Sequence, residues 1–546
     1  MIFISDISSQ NAYLCNKYSK ELFFDFRMKQ PIKNTIFLLI AIVFLIVVSH
    51  FFFFRIDLTS DKRHSLSPQT KSLMKTIQAP IEATVFLSGN LNPGFLRLKN
   101  STTEMLTSLR AYSSSEISIR YKNPSDAESE QIREQNHAAL EQRGITGTTV
   151  YEKDKEGKAI RKIVYPWVEL SCQGKTIPVN LLKNDRSLSG EENLNISIEN
   201  LEFELTNAVR RLIKKDVEKI AFLEGHGELS EQETFDISKS LSRYFQIDRG
   251  IIGSNVDMLD EYKSIIIAKP TKPFAEKDKF IIDQYLMNGG TLVWLLDGIQ
   301  ISEESLSGTG TTPAMPLELN LSDMLFRYGA RINPVVVEDV QSTLMPVNIA
   351  PAGEKPEFEP IPWIYSPLLL TSSEHPVTKG LPPVKAHFAS TIELVGDNKD
   401  LSKHIVLATS SNTHLTLTPA NISTASMPDL KNRNYFNLSF VPVGVILEGA
   451  FLSVFANRMV PQELSNSPAI VKYSAKTARQ AVIADGDIIR NDILHVGDSV
   501  KTLPLGYDPY TRQQFGNNAL ITNIILYLTD NDGWMDLRSR TIPLRL

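Results

Sequence analysis

The chain has 546 residues, of which 42% are apolar and 22% are charged, as in ordinary globular proteins and not in disordered ones. Its 57 lysines and arginines against 62 aspartates and glutamates give a net charge of −5, which excludes a nucleic-acid binder that depends on a global basic field. Two cysteines exclude a disulfide scaffold and an all-cysteine zinc site, and the length allows two to four domains.

The first element is an apolar run at residues 36–54, IFLLIAIVFLIVVSHFFFF, which carries no charge when its histidine is neutral. About 20 such residues cross a bilayer as a helix, so we predict a transmembrane helix here. A cleaved signal peptide is the alternative, but its apolar region is usually shorter and a small-x-small site should follow. Here Arg55 follows the phenylalanines directly.

The orientation of this span depends on the size of the domains after it. Lysines and arginines are almost equally frequent on both sides, but a domain of several hundred residues is translocated largely regardless of its charge. We therefore expect residues 1–35 to form a cytoplasmic segment and the bulk of the chain to lie outside. Cys15 and Cys172 then lie on opposite sides of the membrane and cannot pair.

Residues 55–190 are predicted to form a small α/β domain. Ser67-Pro68 is typical of a helix start, because serine caps and proline suits the first helical position. Periodicity then predicts strands at 81–87 and 117–121, helices at 95–112 and 128–143, and further strands at 148–151 and 162–182. The order β-α-β-α-β-β is thioredoxin-like in outline, but no Cys-x-x-Cys motif is present, which excludes redox chemistry.

A helix at 191–216 is predicted to link this domain to a second one at 217–546. Strands that alternate with helices predict a parallel sheet with helices on both faces. The first strand is Lys219–Leu223, and the tail, Asn517–Asp530, is predicted to be an apolar helix that closes the fold. Proline recurs through 341–385, so we predict a long irregular insertion there.

Polar residues follow several predicted strands of the second domain, where an open parallel sheet binds its ligands. The alternative interpretation, which we favour, is that they cap helices and pin loops. No catalytic residue, metal ligand or cofactor is assigned. His375, His387 and His495 lack ligand spacing and are expected on the surface or in loops. The candidate ligand-binding residues are Glu224, Gly225, His226, Gly227, Glu228, Asp297, Asp485 and Asp487.

Five segments in this order resemble the GldG family, the auxiliary components of a gliding-motility ABC transporter. The segments are the single N-terminal span, RIDLTSDKRHSLSPQT (55–70), FLEGHGE (222–228), NGGTLVWLLDG (288–298) and VIADGDIIRN…FGNNALITNIILYL (482–528). The resemblance implies a single-pass protein of the inner (cytoplasmic) membrane with a periplasmic auxiliary or substrate-binding part. It also implies a permease and an ATPase on separate chains as partners. The ligand is unknown, and the charge balance gives no reason to expect nucleic acid as a partner.

The second domain is also similar to the glutamine-amidotransferase-like α/β group, whose catalytic cysteine has no counterpart here. Family members commonly carry a second, C-terminal membrane helix, whereas this sequence stops at Leu546. Docking to a permease through two anchors is therefore in doubt for this chain.

Two functions of different classes are compatible with these observations. The first is a non-catalytic, membrane-anchored exterior subunit of an ABC-type complex. The chain lacks a phosphate-binding loop of the G-x-x-x-x-G-K-[ST] type, so ATP hydrolysis would come from another polypeptide. The second is an exterior metal-assisted hydrolase that uses Glu224, His226, Asp297 and Asp485.

Overall fold

The computed structural model describes residues 65–153, 159–183, 189–214, 217–348, 357–424, 426–464, 469–474, 478–496 and 499–539, with positions 37–39, 350 and 355. The span predicted at 36–54 lies outside the described residues except for 37–39, which are helical. Within the described ranges, no helix has both the length and the apolar character that crossing a membrane requires. Residues 66–546 form one compact unit.

The first part of this unit, residues 66–214, places helices around a four-stranded sheet. Its elements are α1 (Pro68–Lys75), β1 (Ile81–Val85), α2 (Pro93–Tyr112), β2 (Ile117–Tyr121), α3 (Glu130–Gln142), β3 (Thr148–Lys153), β4 (Ala159–Val164), β5 (Trp167–Cys172), β6 (Lys175–Asn180), α4 (Gly190–Glu199) and α5 (Leu201–Ile213). The sheet order is β2-β1-β5-β6, with β1 and β2 parallel and the other pairs antiparallel. Strands β3 and β4 form a separate antiparallel pair.

The predicted helix start at Ser67-Pro68 is confirmed. The Ser67 hydroxyl accepts a hydrogen bond from the Thr70 backbone N–H at 3.0 Å, and Pro68 occupies the first helical position. The Ser67 backbone N–H donates to the Glu202 carboxylate at 2.7 Å. This contact fixes the start of α1 against α5.

The predicted linking helix is two helices, α4 and α5, which meet at Asn200. The Asn200 side chain donates to the Ile196 carbonyl, a local bond of the kind that competes with a continuous helix. Helix α5 belongs to both parts of the unit: Leu205 enters the core of the first part, whereas Phe203 stacks on Trp534 of the second at 5.0 Å.

The second part, residues 217–539, contains the larger sheet. Its elements are β7 (Lys219–Glu224), α6 (Phe235–Leu241), β8 (Gln246–Ile251), β9 (Tyr262–Ala268), α7 (Glu276–Met287), β10 (Thr291–Leu295), β11 (Ile299–Gln300), α8 (Glu303–Thr309), β12 (Thr311–Pro316), α9 (Ser322–Tyr328), β13 (Ala330–Asn333), β14 (Val335–Asp339), β15 (Ser342–Asn348), β16 (Phe358–Thr371), β17 (Val384–Lys385), β18 (Thr391–Leu394), β19 (Leu401–Ala408), β20 (Thr413–Leu417), β21 (Ala420–Ser423), β22 (Pro442–Gly449), β23 (Ala478–Ile483), β24 (Ile493–Val496), β25 (Ser499–Thr502), β26 (Tyr507–Asp508), β27 (Gln513–Gln514) and α10 (Asn517–Leu528). Short 3-10 segments lie at Val256–Leu259, Gly486–Ile489 and Trp534–Ser539.

The larger sheet is mixed, so the prediction of a parallel sheet is wrong for half of it. The order is β15-β16-β19-β22-β23-β10-β9-β7-β8, with β17 paired to β16. Strands β23, β10, β9, β7 and β8 are parallel, whereas β22, β19, β16 and β15 join by antiparallel pairing. Neighbouring parallel strands need a crossover connection, which is usually a helix. The described residues between β22 and β23 contain no helix, and these two strands pair antiparallel.

The irregular insertion predicted at 341–385 is also wrong, because β15 and β16 pair there over Ser342–Asn348 and Phe358–Pro367. Proline is tolerated at a sheet edge, where its missing N–H breaks no ladder bond, and β15 is an edge strand. Within β16, Trp363 and Ile364 are buried in a small apolar cluster.

Both faces of the larger sheet are covered, as predicted. Alternate residues of β10 enter two different cores: Val293 lies in the core that holds α10, and Trp294 in the core that holds α7. The closing helix predicted at 517–530 is confirmed as α10, whose Ile521 and Ile525 are completely buried. Because both faces of the sheet are covered by apolar cores, the polar side chains of the loops meet at the ends of the parallel strands.

Candidate functional site

Three of the predicted site residues meet where β10 and β23 end. Asp297 follows β10, and Asp485 and Asp487 follow β23. The ligand atoms of these three carboxylates all lie within 4.8 Å of one another. The carboxyl ends of neighbouring parallel strands share one edge of the sheet, which explains why residues almost 190 positions apart converge.

A lysine that the sequence analysis missed joins them. Lys269 follows β9, the strand beside β10, and its backbone has a φ of 54°. Its ammonium nitrogen lies 2.7 Å from an Asp297 oxygen and 2.6 Å from an Asp487 oxygen. A Cβ at Gly486 would lie 2.6 Å from the Lys269 side chain, so glycine at 486 is what lets this lysine reach the carboxylates.

The cluster neutralises its own charge. Burial raises the pKa of Asp485 well above its ordinary value, and the neighbouring charges of Asp487 and Asp297 raise it further. Burial likewise raises the pKa of Asp297, against the pull of Lys269. Burial alone would lower the pKa of Lys269, but the two aspartates outweigh it and hold the ammonium group charged.

A second layer of charges surrounds these groups. Arg490 Nε lies 3.0 Å from Asp487 Oδ1, and an Arg490 amino group donates to Glu303 at 2.8 Å. His387 and Arg490 keep the pKa of Glu303 well below its ordinary value, although burial opposes them. The backbone N–H of His387 donates to Asp485 at 2.7 Å. Each carboxylate of the cluster therefore has partners within the protein.

The residues present suit internal ion pairs better than a metal. Three aspartates could hold a hard divalent cation, but the Lys269 ammonium already lies between two of them. Glu224 and His226 do not join the set, because among the described residues only Asp297, Asp485 and Asp487 bring their ligand atoms within 4.8 Å of one another. The hydrolase hypothesis requires Glu224, His226, Asp297 and Asp485 to converge, and the structure brings only the two aspartates together.

The Gly-His-Gly turn after β7 is a second, separate arrangement. Gly225 and Gly227 have φ values of 113° and 77°, which favour glycine. A Cβ at Gly227 would lie 2.1 Å from Thr271 Oγ1, so this glycine also allows a close approach. The His226 carbonyl accepts hydrogen bonds from the Thr271 and Lys272 N–H groups, both at 2.8 Å. The turn therefore joins two loops of the sheet edge.

The His226 ring is held on three sides. It stacks on Phe274 at 3.7 Å with an interplanar angle of 8°, and its two nitrogens lie 3.2 Å from Glu228 and 3.1 Å from Asp278. Burial lowers the pKa of His226, but hydrogen bonds to Asp278 and Glu228 outweigh it and raise the pKa to about 9. The ring is therefore an imidazolium at neutral pH, with both nitrogens donating.

Glu224 lies at the end of β7 and is paired elsewhere. Arg249 of β8 donates to it at 2.7 Å, to the Leu229 carbonyl at 2.6 Å and to Thr234 at 2.9 Å. The guanidinium lies 4.9 Å from the Phe222 ring centroid, at cation–π distance. Glu224 thus anchors the loop after β7.

The described residues leave an opening next to Asp297 of the aspartate cluster. A cavity of about 250 Å³ lies beside the end of β10 and is lined by Asp297, Glu318, Asn320 and Arg331 among others. It is smaller than the usual range of about 300–1,000 Å³ for small-molecule sites. Of the candidate ligand-binding residues, Asp297 is the one that lines this cavity.

The residues that the sequence analysis missed are the partners of those it found. Lys269, Asp278 and Arg249 neutralise the predicted groups, yet each is separated in sequence from its partner by 25 to 218 positions. The sequence offered one signal for such a partner, a charged residue directly after a strand, as at Lys269. Of the three histidines, His375 and His387 lie in loops as predicted, although His375 is buried, whereas His495 lies in β24.

Comparison with known proteins gives two family matches. Residues 218–524, more than half of the chain, match the model of a family described as "ABC-type uncharacterized transport system". Residues 60–171 match a model described as a domain of unknown function, DUF7088.

Individual relatives add little to this. A protein of Borreliella burgdorferi described as "Uncharacterized protein" is 23% identical over 430 residues, which cover 77% of this chain and 78% of that one. A solved structure described as "mmIFT52 N-terminal domain" is 14% identical with a TM-score of 0.32, covering 57% of this chain and 99% of the other.

Proposed function

The chain belongs to the family described as "ABC-type uncharacterized transport system", and from this membership we propose that it is a non-catalytic auxiliary or substrate-binding subunit of an ABC-type transporter. A permease and an ATPase on separate chains are its proposed partners. We extend the proposal to gliding motility on the strength of the GldG resemblance alone. The family match over 218–524 carries the proposal.

The geometry of the sheet edge supports a non-catalytic role. Lys269 neutralises two of the predicted carboxylates. The two ring nitrogens of His226 are paired with the carboxylates of Glu228 and Asp278. A general base or metal ligand needs a lone pair directed at substrate, and these groups direct theirs at one another. The predicted residues, Glu224 to Glu228 with Asp297, Asp485 and Asp487, remain a proposed ligand edge, and of these Asp297 lines the cavity beside β10.

The metal-assisted hydrolase is the alternative, and metal analysis of the purified chain tests it. One equivalent of bound metal, lost in both His226→Gln and Asp485→Asn, would support the hydrolase and overturn our proposal. We expect no stoichiometric metal in the wild type, because Lys269 occupies the place between the aspartates.

The proposed location is the inner membrane, with a single helix at 36–54, residues 1–35 in the cytoplasm and the bulk in the periplasm. The apolar length of 36–54 supports the anchor. Membrane fractionation with carbonate extraction tests it: the chain should stay in the membrane pellet. A chain found in the soluble fraction, shortened at its N-terminus, would contradict the anchor.

We also propose the fold assignment of each part. The division is 55–190, a link at 191–216, and 217–546. The order β2-β1-β5-β6 with β5 antiparallel to its neighbours supports a thioredoxin-like first domain. The parallel strands with helices on both faces support an amidotransferase-like second domain.

Partner identity is the decisive experiment for the proposed function. The full chain, tagged in its own host and extracted in mild detergent, is captured and its partners are identified by mass spectrometry. We expect a permease and an ATPase, retained in His226→Gln, because that ring is paired within the chain. An unrelated single-span protein with the same tag is the control. Failure to recover either subunit, with both detected in the extract, would contradict the proposal.

A further inference from the structure

A groove of about 690 Å³ lies in the first part of the unit, outside the segment that matches the transport family. Residues 161–165, at the end of β4 and just beyond it, form one side. Helix α3 forms the other. The floor includes Phe86 and Ser88, which follow β1, and Asn123, which follows β2. These are the carboxyl ends of two parallel strands, where α/β sheets receive ligands.

Strand β4 meets this groove with its edge. Side chains of a strand alternate between its two faces, so the four consecutive lining residues of β4, 161–164, mean that the backbone itself borders the groove. Strand β4 pairs with β3 on one side, and in the described part of the chain no strand pairs with its other side. The outward backbone N–H and C=O groups of such an edge can accept an added strand.

Helix α3 presents a polar stripe to the same groove. Its lining residues Glu130, Arg133, Glu134 and His137 have the i, i+3, i+4, i+7 spacing of one helix face. The only buried residue of α3 is Leu140, which packs with Phe86 and other apolar side chains at the closed end. Because α3 buries so little apolar surface within the protein, a partner that packs against its polar stripe would stabilise it.

We propose that this groove binds an extended, acidic segment of a partner protein, which adds to the edge of β4 as a third strand and lies against α3. The lining carries three basic side chains, Arg133, Arg161 and Lys162, against the two glutamates of α3, so its charge favours an acidic partner. Arg161 makes no ion pair with a described residue, whereas Arg133 lies 3.5 Å from Glu130. Arg161 and Ile163 are exposed on the same face of β4, so the added strand carries a carboxylate and an apolar side chain two positions apart.

This inference is independent of the proposed transporter function. The groove lies within 86–165, and the family match begins at 218. A negative result for peptide binding would leave the transporter partners untouched. Failure to recover a permease and an ATPase would leave the groove unchanged.

The test uses the purified full chain in detergent and an array of octapeptides that combines Glu, Lys, Val and Thr at every position. We expect the bound peptides to contain Glu and Val two positions apart and to bind about fivefold more tightly than their Lys counterparts. Methylation of alternate peptide nitrogens should abolish binding, because strand addition uses backbone N–H groups. Hydrogen exchange should show protection at 161–165.

Two variants test whether the peptide preference depends on the charge of the groove or on the overall charge of the protein. Arg161→Glu should reverse the preference from Glu to Lys peptides, whereas Arg110→Glu, the same charge change at an exposed position of α2, should leave it unchanged. Circular dichroism and thermal unfolding check that both variants are folded. Absence of any bound peptide, binding that survives N-methylation, or a preference unaltered in Arg161→Glu would overturn the proposal.

Discussion

In the described part of the chain, parallel strands end at two places, which differ in how their charges are satisfied. At the edge of the larger sheet, Lys269, Asp297 and Asp487 pair with one another and are mostly buried. In the groove of the first part, the charges of α3 and β4 are mostly exposed. Buried charges need partners within the protein, whereas exposed charges can exchange water for a ligand. The buried charges of the predicted edge therefore stabilise the fold, whereas the exposed charges of the groove can contact a partner.

The strongest test of this contrast removes the buried cation. Lys269→Met keeps most of the side-chain volume but leaves Asp297 without its counter-charge and Asp487 with Arg490 alone. We expect a loss of about 3–5 kcal/mol in the free energy of unfolding, the usual cost of breaking a buried pair. Urea unfolding followed by tryptophan fluorescence measures it.

The control for this prediction is the double variant Lys269→Met with Asp487→Asn. It should lose less than the sum of the two single variants, because the residues are in direct contact. A loss below about 1 kcal/mol in Lys269→Met would mean that the edge is not stabilised by its internal ion pairs.

The pH dependence of stability sharpens the same contrast. The pKa of His226 is raised to about 9 in the folded chain and is about 6.5 when unfolded. Its contribution, up to roughly 3 kcal/mol, is therefore complete below pH 6.5 and is lost as the pH rises through 9. Unfolding of the wild type and His226→Gln between about pH 6 and 10 should give curves that converge at high pH. A constant difference would contradict the assigned imidazolium.

Helix α3 should depend on one residue. Leu140→Ala removes its only buried side chain, and we expect a loss of about 2 kcal/mol. Hydrogen exchange should rise in 130–142, while β7, β9 and β10 keep their protection. Equal loosening of the larger sheet would show that the two regions are more tightly coupled than their separate cores suggest.

The smallest effect is expected in the groove itself. Arg161→Met and Glu134→Ala change exposed side chains, so each should alter the free energy of unfolding by less than about 0.5 kcal/mol. Thermal unfolding measures both. Losses near those of Lys269→Met would mean that the groove, too, is built for stability and not for recognition.

Part of the fold was predictable from local patterns. Ser67-Pro68 marked the start of α1, and the apolar spacing of 517–528 marked α10, because capping and periodicity act within a few residues. The prolines of 341–385 misled the prediction, because whether a proline disrupts a strand depends on which neighbour that strand has. Pairing partners are not encoded locally.

The sequence alone determined the types of elements, the glycine turns beside His226 and the carboxylates placed after β10 and β23, since these depend on short-range spacing. Only the tertiary structure decided that Lys269 neutralises Asp297 and Asp487, and that α3 leaves a groove along β4. The physical reason is that electrostatic neutralisation depends on distances of a few ångströms between residues far apart in the chain.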